Sequence, residues 1–454
     1  MGWSPVLELT ALEQAARIRA GELSSVELVR LYLERIAALN PSLSAFVRVH
    51  RRRALAQARR KDAELRRGRD SLPPFHGVPT AMKDLNFVRG SVSRFGSRAV
   101  WIPSPVDCHS TASVRLGGFV IVGKTATSEL GAMPVTEPDI HPPTRNPWDP
   151  ERTSGGSSGG AGAAVAAAML PVAHGSDGAG SVRIPAALNQ LYGFKATRGR
   201  VANAYGLRDP DILYSCGPLA RSVEDAAALL DVLARADEFR RALQSPAPRG
   251  LRIGVLTHSQ LAPTHPEIAE AVRRVAKQLE SFGHVLEELR APEGSVDEFL
   301  PVYQRQVRLA PAMLPWRLQP VPRWLRDAGK GVTGPMAKSI QHGLAKRILD
   351  SMAPFDLCLT PTVPIETPRV GEFAGLPAAE AFARAALLGV YTATSNISGA
   401  PSASIPMGRM AGRWPMGAHL IGRVGDDALV LRVSRQLEEA LPWRAEWAPA
   451  ARAA

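Results

Sequence analysis

Residues 155–200 read GGSSGGAGAAVAAAMLPVAHGSDGAGSVRIPAALNQLYGFKATRGR. Two glycine turns carry serine here, and Ser157 and Ser181 lie 24 residues apart. Between them residues 161–169 are nearly all alanine, which predicts a helix of small cross-section. Pro171 ends that helix. Pro171-Val172-Ala173 reads as a short buried strand, and Gly175-Ser176-Asp177-Gly178-Ala179-Gly180 as the sharp turn that delivers Ser181. A helix leading into a strand returns the second glycine turn to the first.

Glycines beside a serine have a chemical use. They let backbone N–H groups approach a bound atom with no Cβ in the way, and several such groups in one turn surround a developing oxyanion. The residues therefore suggest a serine nucleophile in a backbone cradle. A flexible Gly/Ser linker is the bland alternative. Linkers rarely frame an alanine helix or carry Asp177 and Arg183 within the turn.

Two other motifs match by letter and fail by context. Gly118-Phe119-Val120-Ile121-Val122-Gly123-Lys124-Thr125 satisfies the P-loop expression, but Phe-Val-Ile-Val is a buried strand by composition, whereas a P-loop must be pliable. Gly155-Gly156-Ser157-Ser158-Gly159 satisfies the nucleophile-elbow expression, which needs an apolar strand before the serine. Polar loop precedes it here. His174 would be the base of a Ser–His pair; a lone histidine beside an apolar strand is more often a packed residue.

The chain has 454 residues, 45% of them hydrophobic, ample for a large core. Length alone allows two or three domains. Net charge is +13, a balance that attracts nucleic acid or anionic membranes. The arginines are scattered through predicted helices, as at Arg51-Arg52-Arg53 and Arg66-Arg67-Gly68-Arg69, with no aromatic-interleaved basic module. Solvated helix faces are expected, with no nucleic acid or membrane partner. Cys108, Cys216 and Cys358 have no CxxC spacing, which argues against disulfides or a zinc site and fits a reducing compartment. With no leader pattern and no run of about 18 apolar residues, the expected location is the cytoplasm.

Thr10 with Glu13 and Ser24 with Glu27 are capping boxes opening two helices, which stop at Gly21 and at Asn40-Pro41. Residues 45–49 predict a strand, and a basic helix follows to about Arg67. Strand and loop are expected to continue from Lys83 over 85–89. Residues 251–255 predict a strand, 267–282 an amphipathic helix and 428–441 a last helix. From 292 to 334 Pro, Met and Trp cluster without clear periodicity, at Met313, Trp316 and Trp324; a surface loop or a cover is expected. After Pro361 the chain should return to strands. Strands alternating with helices imply an α/β fold.

GGSSGG, then GSDGAGSVRIPA, then GFKAT resembles the signature stretch of the amidase signature family. That family has a lysine upstream after a Gly-Val/Ile-Pro turn, matched here by Gly77-Val78-Pro79-Thr80-Ala81-Met82-Lys83-Asp84. The likeness extends to Asn146-Pro147-Trp148, Leu359-Thr360-Pro361-Thr362, Gly399-Ala400-Pro401 and the segment from Met416 to Arg423. It implies an α/β fold with a single large mixed β-sheet sandwiched between helical layers, one domain over 1–454, and a variable active-site cover around 292–345. It also implies a Ser–cis-Ser–Lys triad: Ser181 as nucleophile, Ser157 as relay after a cis peptide from Gly156, and Lys83 as base. Burial beside Ala81 and Met82 would favour the neutral amine. The N–H groups of Gly178, Ala179, Gly180 and Ser181 are the implied oxyanion hole. Ser158 and Asp177 would brace the lysine and the turn, and Arg183 would anchor the turn by charge pairing. Gly131, Ala132 and Met133 fall where the family builds its acyl-side wall. No metal and no cofactor is expected.

Two departures bear on the reading. The family usually has Gly-Gly-Ser at the hole, and Ala179 would be strained if that position had positive φ. Glutaminyl-tRNA amidotransferase A subunits have Gln after Ser-Ile-Arg, where this chain has Ile184-Pro185. That looks more like hydrolases of aryl amides, cyclic nylon oligomers and urethanes. The expected activity is a freestanding monomeric or homodimeric serine hydrolase of small apolar or aryl amides, with carbamates and esters in range. The alternative is a glutamine-hydrolysing A subunit of a tRNA-dependent amidotransferase. With all three triad residues present, a catalytically dead relative is disfavoured.

Overall fold

Two β-sheets meet beside the glycine turns. The computed structural model describes residues 3–68, 72–204 and 213–452; Arg69 of the basic cluster lies outside them. The smaller sheet comprises β1 (Phe46–Val49), β2 (Pro79–Lys83) and, after the hairpin β3 (Ser91–Ser93) and β4 (Ile102–Ser104), β5 (Val120–Thr125). Its order is β1-β5-β2, with β5 antiparallel to β1 and parallel to β2. The larger sheet has eight strands: β6 (Val172–Asp177), β7 (Tyr192–Lys195), β8 (Ser215–Ala220), β9 (Arg252–Val255), β10 (Val285–Glu288), β11 (Leu357–Pro361), β12 (Ser402–Met410) and β13 (Trp414–Gly422). They run in the order β10-β9-β11-β13-β12-β7-β8-β6. β9 is parallel to β10 and to β11, and the remaining pairs are antiparallel.

Side-chain alternation along β13 shows why helices cover both faces. Ala418 and Leu420 pack with Val272 of the helix Pro266–Ser281 and Val430 of the helix Asp427–Ala440. On the opposite face a Cβ at Gly417 would lie 2.7 Å from Ala187, in the helix Arg183–Leu188. This is the expected α/β architecture, with one addition: Lys83 belongs to the smaller sheet. Between β2 and β6 a side chain makes the link, the Thr80 hydroxyl donating to the Val172 carbonyl at 2.9 Å.

Both capping boxes form, with Thr10 and Ser24 each accepting from the N–H three residues on and the two glutamates bonding back. The second helix does not stop at Pro41 but runs Ser25–Leu43. Proline there removes one bond in a last turn that Ser44 still closes on the Asn40 carbonyl, at 2.8 Å. The residues after Lys83 form a turn rather than a strand. The region after 292 is helical, in Val296–Leu309, Pro320–Ala328 and Gly334–Met352. Prolines at the first positions of the last two are start signals, since the N–H that proline lacks has no partner in a first turn. Helices Ala378–Ala386 and Thr392–Ser398 precede β12, so the chain does not pass straight from Pro361 to strands.

The alanine-rich helix spans Gly159–Ala166, shorter than its composition suggests, and ends in a turn with Ala168 at φ 52. β6 continues to Asp177, so the second glycine turn starts only at Gly178. Small side chains let this helix lie against the smaller sheet. A Cβ at Gly160 would sit 2.4 Å from the Ala126 nitrogen and 2.5 Å from the Ala45 carbonyl oxygen. Neither backbone atom has room to yield. Gly160→Ala should therefore lower stability by about 1–3 kcal/mol. Gly331→Ala, where a Cβ meets nothing within 4 Å, should leave the thermal midpoint nearly unchanged. Equal midpoints for the two variants would refute this packing account.

Candidate active site

Lys83 ends β2 with its amine fully buried. Its Nζ lies 2.8 Å from Ser157 Oγ, 3.2 Å from Ser176 Oγ and 3.3 Å from the Ser176 carbonyl oxygen. The Gly156–Ser157 peptide is cis. Ser181 is half-buried, and its carbonyl accepts from the Ser158 N–H at 3.3 Å, which ties the two serine turns together. Burial drops Lys83 from 10.5 to about 7; the negative charge of Asp177 and the Cys216 sulfur pull the other way but are outweighed.

Asp177 organises the second turn. Its Oδ1 accepts from the Gly180 N–H (2.7 Å) and its Oδ2 from the Val182 N–H (3.1 Å). Arg183 pairs with both oxygens, through Nη2 at 2.8 Å and Nε at 2.9 Å. Burial alone would raise the Asp177 pKa, but the Arg183 charge and hydrogen bonds from Arg183, Asn396 and Val182 hold it well below the carboxylate range. Arg183 also donates to the Thr392 carbonyl (2.8 Å) and sits 2.8 Å from His419 Nε2. Burial and then the Arg183 charge keep His419 neutral, its pKa well below the usual value.

Two sequence expectations change here, and one left open is decided. Gly180 N–H is consumed by Asp177, which leaves the N–H groups of Gly178, Ala179 and Ser181 without a hydrogen bond among the described residues. The positive φ falls on Gly180, at 125, and not on Ala179, so alanine is unstrained there. A Cβ at Gly180 would come within 2.1 Å of Thr392 Oγ1. Ser158 does not reach the lysine; its hydroxyl bonds the Ser176 carbonyl (3.3 Å) and accepts from the Ser176 N–H (3.4 Å). Ser176, which the sequence reads as part of a turn, supplies the other two lysine contacts besides Ser157. A longer β6 would have placed Ser176 and His174 on one face.

His174 is fully buried, and neither ring nitrogen has a hydrogen-bond partner among the described residues. Burial, aided by the Lys83 charge, pushes it down to about 3. It makes no bond to either serine, so the Ser–His pairing is absent. Lys124 of the P-loop-like run lies in buried β5 and pairs with Asp84 at 2.5 Å, with no loop to cradle phosphate. Among the described residues no cluster of three His, Cys, Asp or Glu side chains is placed to hold a metal. The three cysteines are free and buried.

Ser181 opens on a cleft of about 980 Å³, counting its mouth. Ala132 and Met133 form part of its wall with Ile184, Phe299, Tyr303 and Phe382. Gly131 instead stands behind Ser157, where a Cβ would be 3.4 Å from its Oγ. Pro185 packs away from the cleft against Gly155 and Gly162. Met313 and Trp316, expected in the cover, face solvent at 55% and 67% exposure. The aromatic wall comes from Phe299, Tyr303 and Phe382, ring centroids 6.1 and 5.7 Å apart in sequence, with Trp324 behind Phe382 at 5.8 Å. The Tyr303 hydroxyl donates to the Ala132 carbonyl at 3.1 Å. No Lys or Arg lines the cleft, and Glu293 is the one carboxylate in its lining among the described residues.

A lysine near pKa 7 gives a pH signature. If the neutral amine is the active form, protonation removes it as pH falls. Log kcat/KM should then drop with a slope near one below about pH 7 and be flat above it. A pH-independent rate between 5 and 8 would contradict this. Lys83→Ala and Ser181→Ala should each reduce turnover to background, because members of one proton relay fail together. His174→Ala should cost much less. Single-turnover assays on the three variants decide between the lysine and the histidine.

The amidase family model matches residues 27–312 and 325–431. The chain is 34% identical over 484 residues to the 6-aminohexanoate-cyclic-dimer hydrolase of Paenarthrobacter ureafaciens, covering 95% of each protein. It is 32% identical over 478 residues to the A subunit of glutamyl-tRNA(Gln) amidotransferase from Myxococcus xanthus, covering 95% of this chain and 97% of that one. A bacterial aryl acylamidase of the amidase signature family superposes with a TM-score of 0.87 at 26% identity, over 99% of this chain and 100% of the other. With the match running across both sheets, the chain belongs to the amidase signature family, whose members are hydrolases acting on C–N bonds.

Proposed function

We propose that this enzyme cleaves amide C–N bonds of neutral, apolar or aryl substrates through an acyl-enzyme on Ser181. The observation that carries the reading is the buried Lys83 amine 2.8 Å from Ser157 Oγ, beside a serine that opens on an apolar cleft without cations. With the amine neutral, its two N–H groups serve Ser176 and its lone pair faces the Ser157 hydroxyl. Ser181 Oγ attacks the substrate carbonyl carbon as its proton passes to Ser157 and the Ser157 proton passes to Lys83. The carbonyl oxygen gains the electron pair and rests against the N–H groups of Gly178, Ala179 and Ser181. Collapse breaks the C–N bond, and the proton returns along the same path to the departing amine. Water then releases the acid by the reverse relay.

Carbamates fit the same chemistry, since they differ by one oxygen on the acyl side. Loss of the amine would leave a carbonate ester on Ser181, and loss of an alkoxide a carbamate ester. In this reading the enzyme works alone, as a cytoplasmic monomer or homodimer without a cofactor. The segment 292–345 serves as the substrate cover within one catalytic unit over 1–454.

The likeness to amidotransferase A subunits supports a second reading, in which glutamine is the ammonia source. Free glutamine carries an α-carboxylate, and the cleft lining offers it no cation. Unpaired burial of a charge is costly, which favours the apolar substrate.

The test is product release from a panel of anilides, aryl carbamates, esters, acetamide and glutamine by the chain purified alone, with Ser181 labelling by a fluorophosphonate followed by mass spectrometry. Anilide or carbamate turnover is expected. Apolar contact contributes about 25 cal/mol per Å², so Ala132→Leu, which fills the wall, should raise KM for an anilide several-fold and barely change it for acetamide. Turnover of glutamine or acetamide with none of any aryl amide or carbamate would overturn the substrate class and leave the triad intact.

A further inference from the structure

The basic helix Arg51–Arg67 has a use that the amide-cleaving site does not absorb. Its two acids are already engaged: Asp62 accepts from the N–H groups of Ser25 and Val26, and Glu64 pairs with Lys61 at 2.8 Å. Arg53 and Arg60 of this helix, with Arg89 and Arg115, line one open cleft of about 1090 Å³, counting its mouth. Asp107 is the one acid in that lining.

Two of the four guanidinium groups are held in place. Arg115 pairs with Asp107 through Nε at 2.7 Å and donates to Gln57 Oε1 at 2.7 Å. Arg53 lies over Gly90 and donates to its carbonyl. Arg89 is fixed through its backbone, its N–H donating to Asp107 Oδ1 at 2.7 Å. The side chains of Arg60 and Arg89 make no hydrogen bond or ion pair among the described residues. Four guanidinium groups against one carboxylate leave a concave surface with surplus positive charge and unused planar donors, the geometry that phosphate oxygens match. His50, which bonds Ser91 next to Gly90, reports that field. It is pushed down to about 4 by burial and, after it, by Arg53, Arg48, Lys124 and Arg115.

We propose that this cleft binds a small anion carrying two linked phosphates. One phosphate meets Arg53 and Arg115, which are already positioned, and the other recruits Arg60 and Arg89. The site is separate from the serine cleft, with which it shares no lining residue.

Isothermal titration of the full chain with inorganic pyrophosphate, at about 0.15 M salt, tests this. One saturable site is expected. The double variant Arg60→Ala/Arg89→Ala should weaken it at least tenfold, whereas Arg66→Ala/Arg67→Ala, on the same helix outside the cleft, and Ser181→Ala should not. A nucleoside diphosphate should lose affinity in the same double variant, and its affinity relative to pyrophosphate shows whether a nucleoside is read as well. Absence of saturable binding at that salt overturns the site. So does equal weakening by both arginine pairs, the signature of a diffuse basic surface. A short RNA duplex that binds more tightly than pyrophosphate and depends equally on both pairs would replace the proposal with nucleic-acid binding.

Discussion

The Asp177 carboxylate has no access to solvent, and the geometry of the second glycine turn depends on it. It takes the Gly180 N–H out of play, aligns Val182 at the start of the next helix and faces Arg183 with both oxygens. Arg183 carries the constraint onward to Thr392, Ser402 and His419. One ion pair thereby joins the second glycine turn to β12, β13 and the helix Thr392–Ser398. Removing one partner of such a buried pair costs about 3–5 kcal/mol, because the other charge is stranded. The pair holds Ser181 and its neighbouring N–H groups in one arrangement before any substrate arrives, which is the condition for stabilising charge that develops during reaction.

Two buried lysines on adjacent strands show how the fold gives one residue type different surroundings. Lys124 on β5 meets the Asp84 carboxylate at 2.5 Å and the Ser93 hydroxyl at 2.6 Å. Lys83 on β2 meets only hydroxyls and a carbonyl. Burial lowers the pKa of both amines; at Lys124 the contacting Asp84 carboxylate opposes that shift, whereas Lys83 has no carboxylate in contact and burial, outweighing the Asp177 charge, brings it down to about 7. In the proposed relay, proton transfer at Lys83 needs no carboxylate partner. It needs exclusion of water, which the alanine helix and both sheets provide.

The cleft follows the same economy. The second glycine turn brings Ser181 to the cleft, and most of the walls are apolar side chains from five separate helices and the 132–134 segment. The Tyr303 hydroxyl ties the helix Val296–Leu309 to the Ala132 carbonyl. The segment behind Ser157 and that helix of the cleft wall are thereby joined.

Much of the fold was legible in the residues because it is local. Capping boxes at Thr10 and Ser24, the Phe-Val-Ile-Val strand, the amphipathic helix after Pro266 and the glycine turns each depend on neighbours a few positions away. The serines and Lys83 were legible through motif resemblance, which also carried the cis peptide and the sandwich architecture; composition carried neither. Periodicity failed after 292, where prolines start helices and interrupt their apolar spacing. What only the tertiary structure decided is which groups in the turns remain free. Gly180 loses its N–H to Asp177 and takes the positive φ, because Thr392, far along the chain, leaves no room for a Cβ. Ser176 reaches Lys83, and Phe299 and Phe382 line the cleft where Met313 and Trp316 do not, for a similar reason. Local sequence sets backbone preference, but the partner of a buried polar group, and the side of a helix that meets substrate, are set by contacts between segments far apart in the chain.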